Sequence, residues 1–259
     1  MSWQSKNWQQ DAQALFDVSD RTALVTGAGS GLGRAIALGL DAHGADVVAA
    51  DINREAAEDV ADACSSATAM YVDVTDEESL QSLRDRTVER YGGYRILCNV
   101  PGVNTRKSIF DLSYDEWREI VELNLDGMFL ASKVLGKPLV DAGQGSVINM
   151  ASVRGIDGGP SQSAYSASKG GVIQLTKVLA AEWAPEVRVN ALAPGYIKTP
   201  LVREAMADRE WYERMRDGHL LERFGEPEEV VGAAVFLASD AASFVTGSVL
   251  SVDGGWSAQ

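Results

Sequence analysis

The sequence predicts an α/β fold in which one parallel sheet is wrapped by helices on both faces. Two observations carry that prediction. Short runs rich in Val and Ala alternate with segments of helical period along the whole 259 residues. These runs lack the polar–apolar alternation of a half-exposed strand, so they read as strands buried on both faces. No Pro/Ser linker, internal repeat or low-complexity tract breaks the rhythm, which points to a single doubly wound domain.

Residues 21–26 read as the first strand, and 32–43 as a helix entered directly from a glycine-rich turn. The second strand is 45–51, followed by a helix over 54–63. The third strand, 67–73, closes on Asp73, and helix 77–91 carries Leu80, Leu83 and Val88 on one side. A fourth strand at 95–99 precedes a long helix over 114–139. Strands at 145–151, 187–192 and 248–252 bring the number to seven, with helices over about 162–183 and 227–238 between them. Right-handed βαβ crossovers join such strands in parallel. Residues 20–259 form this domain, and 1–19 read as an N-terminal extension. One stretch does not fit the rhythm. Residues 198–221 are too long for a plain connection and hold Met206, Trp211, Tyr212 and Met215. They leave the carboxyl end of a strand, where ligands of such sheets sit, and so are expected to form a mobile helical flap over a cleft. A surface helical excursion is the alternative.

Composition excludes several function classes. Lys and Arg number 23 against 37 Asp and Glu, a net charge of -14, and no basic run exists to meet phosphates. A nucleic-acid partner is therefore not expected. Apolar runs are far shorter than the roughly 20 residues of a membrane span. The first 20 residues lack a basic segment followed by an apolar one, so no signal peptide is expected and the cytoplasm is the expected location. Cys64 and Cys98 form no CxxC pair, and His43 and His219 are isolated, each read as a surface or packing residue. No disulfide framework, zinc site or other metal site is expected.

The turn Thr26-Gly27-Ala28-Gly29-Ser30-Gly31-Leu32-Gly33 follows the first strand and opens a helix. Glycines there permit tight turning and let backbone N–H groups approach a pyrophosphate, which the helix N-terminus also attracts. With a strand before it and a helix after it, the turn reads as a dinucleotide site holding Gly27, Ser30, Gly31, Leu32 and Gly33. Asp51 ends the second strand about 20 residues later, where a carboxylate accepts from ribose hydroxyls and repels a 2′-phosphate. NAD is thus expected over NADP, although Arg34 and Arg54 lie nearby in sequence. Asp73, with Val74 beside it, is read either as a partner of the adenine amino group or as a turn cap.

With Thr26–Gly33, Asn99–Gly102, Asn124, Ser152 and Tyr165-Ser166-Ala167-Ser168-Lys169 in this order, the chain resembles the classical short-chain dehydrogenase/reductase family. The likeness runs from Asp20 to Trp256 and includes Pro194-Gly195-Tyr196-Ile197-Lys198-Thr199-Pro200 and Val252-Asp253-Gly254-Gly255. It implies a Rossmann-type seven-stranded sheet of order 3-2-1-4-5-6-7. It also implies a homotetramer or homodimer in which the helices over 114–139 and 162–183 pair between subunits. By resemblance Lys169 bonds the nicotinamide ribose, and the main chain at Asn124 holds a water that relays protons from Lys169. Pro194, Ile197 and Thr199 clamp the carboxamide, and Gly195 borders the substrate. One departure stands out: the family's Asn-Asn-Ala-Gly turn reads Asn99-Val100-Pro101-Gly102 here. Pro101 removes a donor and stiffens the loop, while Asn99 and Gly102 still match.

Spacing supplies chemistry as well. Tyr165 and Lys169 lie four apart, on one face of a helix. A free phenol titrates near 10 and is a poor base at neutral pH, and an adjacent ammonium, with the positive nicotinamide, favours phenolate. Ser152 would orient the substrate oxygen and stabilise alkoxide charge.

Substrate signals are sparser. Arg106 and Lys107 follow the fourth strand and Arg154 lies two residues after Ser152, where a guanidinium could pair with a substrate carboxylate or stay solvated. Stretches 124–129, 179–184 and 191–197 look like members acting on polyols, sugars and sugar acids, so a small polyhydroxylated substrate is expected. A 3-oxoacyl-acyl-carrier-protein reductase is the alternative enzyme. Such reductases carry Arg at two docking positions that read here as Leu130 and Ala181, and the acidic surface opposes an acidic carrier. An NAD(H)-binding regulator is the non-enzyme alternative; it would not need Tyr165 or Lys169, and both are present.

Overall fold

The computed structural model describes residues 12 and 14–258, so most of the extension lies outside the described residues. Seven strands form one all-parallel sheet: β1 (Thr22–Thr26), β2 (Asp46–Asp51), β3 (Ala67–Tyr71), β4 (Ile96–Asn99), β5 (Gly145–Met150), β6 (Val187–Pro194) and β7 (Val249–Val252). Their spatial order is β3-β2-β1-β4-β5-β6-β7, as the family resemblance implied. β1 lies between β2 and β4, so the chain reverses its direction of progress across the sheet beside β1. A crevice opens there, at the carboxyl ends.

Helices α1 (Gly31–Ala42), α2 (Arg54–Ala63) and α3 (Glu77–Tyr91) occupy the first half. Helices α4 (Tyr114–Val121), α5 (Gly127–Asp141), α6 (Ser163–Trp183), α7 (Pro200–Met206), α8 (Arg209–Asp217) and α9 (Glu228–Ala238) follow. Their starts are written locally. The Asn53 side chain accepts from Ala56 N, that of Asp76 accepts from Glu78 N, and Ser113 with Glu116 makes a capping box on α4. Helix α3 stops at Gly92, whose φ of 73° suits a left-handed cap.

Two apolar layers sandwich the sheet. Ile36 and Leu40 of α1 and Val230 and Leu237 of α9 meet Val25, Val47 and Ile148 on one face. Leu80 and Leu83 of α3, with Leu135 and Leu139 of α5, meet Leu24, Val48 and Val147 on the other. Neighbours such as Leu24 and Val25 point to opposite layers and are both fully buried, which is why these strands show unbroken apolar runs.

The structure corrects three boundaries. The helix expected over 114–139 is interrupted: a π-helical turn, Glu122–Asp126, separates α4 from α5. The Asn124 side chain within it is held across to the backbone of Val103, accepting from its N–H at 2.8 Å and donating to its carbonyl at 2.9 Å. The third strand ends at Tyr71, two residues before Asp73, whose carboxylate instead accepts from the N–H and hydroxyl of Thr75. β6 continues to Pro194 and carries the chain further into the crevice. Residues 198–221 form α7 and α8, as a helical excursion from that strand's carboxyl end. His219 is not at the surface. It is 2% exposed, its Nδ1 lies 2.7 Å from the Met215 carbonyl, and its Nε2 accepts from Tyr196 N. Among the described residues no helix is long and apolar enough to cross a membrane.

Candidate active site

The crevice holds a cleft of about 380 Å³ bordered by the glycine turn, by Asp51, and by segments following β4, β5 and β6. Its cofactor-side wall is built from backbone. Gly27 and Gly31 have φ of 69° and 52°, in the region that favours glycine. A Cβ on Gly33 would sit 1.9 Å from the Gly27 carbonyl oxygen, so only glycine lets α1 start this close to the turn. α1 also differs from α2, α3, α4 and α8 in having no side-chain cap and no acidic residue in its first turn. Its first N–H groups are left for an anion. This start is suited to a dinucleotide pyrophosphate.

Asp51 borders the cleft and is tied down, accepting from Gly29 N and Asn53 N at 2.8 Å each. Asn99 donates to Asn149 at 3.0 Å, and Asn149 donates to Thr176, a buried polar ladder beneath the crevice. Pro101 packs against Gly27: a Cβ there would lie 3.0 Å from the proline ring. Pro194, Gly195, Ile197 and Thr199 line the cleft, whereas Asp73, Val74, Asn99 and Asn124 do not.

Tyr165 and Lys169 share one face of α6, and Ser152 ends the segment leaving β5. All three border the cleft. The Lys169 ammonium donates to the Met150 carbonyl at 2.7 Å and lies 5.9 Å from the centre of the Tyr165 ring. Burial pushes this amine down to about 8, so it is still mainly charged at neutral pH. Burial likewise pushes the Tyr165 phenol up, while a hydrogen bond with Ser152 and the charge of Arg106 pull it down. Arg106 thus adds a charge that the sequence had not assigned to this role. Asn124 buttresses the group from behind. Its amide donates to Ser168, which donates in turn to the Tyr165 carbonyl. Gly102 packs closely here, since a Cβ would come within 3.2 Å of both Lys169 Nζ and Asn124 Oδ1 and push on them.

The far wall is made of side chains. Arg106 lies 4.7 Å above the Trp211 ring of α8, and its buried Nε has no partner among the described residues. Asn104 Oδ1, also on the cleft, is buried without a partner. Arg154 was expected to offer a guanidinium to the substrate, but it is engaged. Nε and Nη2 donate to the Tyr196 hydroxyl at 3.3 and 3.0 Å, Nη1 reaches Asp157 and the Gly158 carbonyl, and the group lies over Trp256. Trp256 Nε1 in turn donates to Asp157 at 2.8 Å. Tyr196 and Gln162 line the cleft without having been singled out from the sequence. Tyr196 sits inside a motif noticed for its clamp, and Gln162 has no sequence signal.

This combination of an uncapped helix start and a Ser–Tyr–Lys group across one cleft suits hydride exchange with a nicotinamide. The comparisons agree. The family model described as enoyl-(acyl carrier protein) reductase matches residues 27–257. The chain is 42% identical over 246 residues to cis-4-hydroxycyclohexanecarboxylate dehydrogenase of Sinomonas cyclohexanicum, covering 93% of this chain and 98% of that one. It is 39% identical over 251 residues to galactitol 2-dehydrogenase (L-tagatose-forming) of Cereibacter sphaeroides, covering 95% and 98%. The crystal structure of a gluconate 5-dehydrogenase from Burkholderia cenocepacia J2315, in complex with NADP and tartrate, superposes with a TM-score of 0.91 at 33% identity, covering 96% and 99%. The chain belongs to the short-chain dehydrogenase/reductase family and is an oxidoreductase acting on alcohol groups with a nicotinamide cofactor.

Proposed function

We propose that the protein is an NAD-preferring dehydrogenase that interconverts a secondary alcohol and a ketone on a small polyhydroxylated substrate. The observation that carries this reading is the convergence of Ser152, Tyr165 and Lys169 on a cleft whose opposite wall is the open start of α1.

The nicotinamide ring supplies the hydride acceptor or donor when bound. Gly27, Ser30, Gly31, Leu32 and Gly33 would hold the pyrophosphate, Asp51 with Gly102 the adenosine half, and Pro194, Ile197 and Thr199 the carboxamide, while Asn99 lies beneath the wall, bonded to Asn149. Asp73 and Val74 lie outside the cleft walls, so any adenine contact from them is made at its rim. In oxidation Tyr165 takes the hydroxyl proton, Ser152 holds the substrate oxygen, and Lys169 keeps positive charge beside the phenol and reaches the ribose. Asn124 positions Tyr165 through Ser168. Asp51 supports NAD, because a carboxylate fixed by two backbone N–H groups cannot swing away from a 2′-phosphate.

Arg106 and Asn104 carry polar atoms without partners among the described residues, and Gln162 lines the same cleft, which suits a ligand rich in hydroxyls. Arg106, carrying no ion pair among the described residues, supports a substrate with a carboxylate such as a sugar acid. Residues 198–221 act as the substrate-covering flap, with Trp211 beneath Arg106. Half-exposed Phe129 and Val178 lie on the helices that would pair in a homotetramer or homodimer. The description of the family model favours a second reading, reduction of a carrier-bound acyl group, and Leu130 and Ala181 at its docking positions weigh against it.

Turnover of a panel of polyols, aldonic acids and carrier-bound 3-oxoacyl groups, followed at the reduced-nicotinamide band with NAD and NADP, tests these readings. Activity confined to the carrier-bound substrate would overturn the polyol reading.

A further inference from the structure

We propose that Gln162 selects substrates that carry a second hydroxyl on the carbon next to the reacting one, so that the substrate class is a vicinal diol and its hydroxyketone. This inference rests on the dehydrogenase reading above.

It starts from the hydroxyl of Tyr196, which is 6% exposed and ringed by Trp211, Phe224 and Trp256. A phenol offers two acceptor sites and one donor. Arg154 fills both acceptor sites through Nε and Nη2. Only the Tyr196 O–H remains, and it points to Gln162 Oε1 at 3.5 Å. Which end of a glutamine amide faces a partner is decided by its hydrogen bonds. Here the partner can only donate, so the oxygen of Gln162 is turned to Tyr196 and its NH2 is turned the other way.

Among the described residues Gln162 is bonded through its oxygen alone, which leaves the NH2 at the cleft wall. Gln162 is only 4% exposed and borders the cleft, so the cleft is what its two donors face. A donor at the cleft wall that no protein group occupies is available to bond a substrate oxygen placed there. Position follows from the helix. Gln162 directly precedes α6 and stands three residues before Tyr165, and both border the cleft. On this proposal the hydroxyl that meets Gln162 is carried by the carbon next to the one whose oxygen meets Tyr165. Arg154, engaged on both sides, is a positioning residue that acts through Tyr196.

A matched pair tests this: trans-1,2-cyclohexanediol and cyclohexanol share a ring and differ by the neighbouring hydroxyl. We expect the wild type to favour the diol in kcat/KM. The diol-to-alcohol ratio should fall about tenfold in Gln162→Leu, the worth of one hydrogen bond. Gln162→Glu keeps an acceptor for Tyr196 but has no donor, and should lose the ratio equally, which separates donation from packing. Tyr196→Phe releases the amide and should lose part of it. A ratio unchanged in Gln162→Leu, or kept in Gln162→Glu, would overturn the inference. The same ratio is read without turnover by ligand-observed NMR titration of NAD-saturated Tyr165→Phe protein. Persisting turnover in that variant would defeat the role of Tyr165 while the binding ratio still judges Gln162.

Discussion

The two walls of the cleft are built by different means. The cofactor wall is backbone: glycines at positive φ, an uncapped helix start, and an aspartate locked by two N–H groups, all within the contiguous β1–α1–β2 segment. The substrate wall is side chains from four separate places, with Arg106 on Trp211 and Arg154 between Tyr196 and Trp256. A backbone wall admits few substitutions and binds one shape of ligand. A side-chain wall can be rewritten residue by residue without disturbing the sheet, as suits a family whose members differ in substrate.

This contrast can be broken most sharply at Tyr165, which both walls face. Tyr165→Phe should cut turnover by about 10²- to 10⁴-fold, the worth of a general acid–base, while NADH titration gives nearly wild-type affinity. Weakened NADH binding would mean that the phenol serves the cofactor wall instead. The wild-type pH profile sharpens the same point. Burial holds the phenol protonated, so oxidation should accelerate as pH rises and reduction should slow. Arg106→Leu comes next. The KM for an aldonic acid should rise about 10- to 100-fold, as expected for a lost charge-assisted hydrogen bond, with the KM for NAD unmoved. An equal rise for neutral polyols would show that the guanidinium supports the flap rather than a carboxylate.

On the cofactor wall, Asp51→Ala should narrow the preference for NAD over NADP by about tenfold, a like-charge penalty on the order of 1.4 kcal/mol. A wild type that already prefers NADP would reverse that reading of Asp51. The smallest effect is expected from Trp256→Phe, which deletes the N–H donated to Asp157. It should cost about 1 kcal/mol of unfolding free energy in urea, with a modest rise in substrate KM and no change in NADH affinity.

Legibility followed the same divide. The order of elements, the glycine turn and the Ser152–Tyr165–Lys169 set could be read directly, because each lies in a short stretch whose conformation is nearly local. Several features could not. The π turn at Glu122–Asp126 is held by Asn124 gripping Val103, 21 residues away. For Asp73 the sequence offered two readings, and the early end of its strand decides for the turn cap, with Thr75 as partner. His219 is drawn inside by an aromatic cluster that spans Tyr196 to Trp256.

By itself, then, the sequence determined the doubly wound sheet and which residues gather at its carboxyl edge. Apolar runs, glycine positions and i,i+4 spacing act through backbone geometry that any folded context must respect. Only the tertiary structure decided which cations remain available to a substrate. Arg106 and Arg154 look equivalent along the chain, yet Arg154 is consumed by Tyr196 and Asp157 whereas the Nε of Arg106 is left over. Whether a charged group is free depends on which partners the fold brings within about 3 Å, and for Arg154 the decisive one, Tyr196, lies 42 residues away.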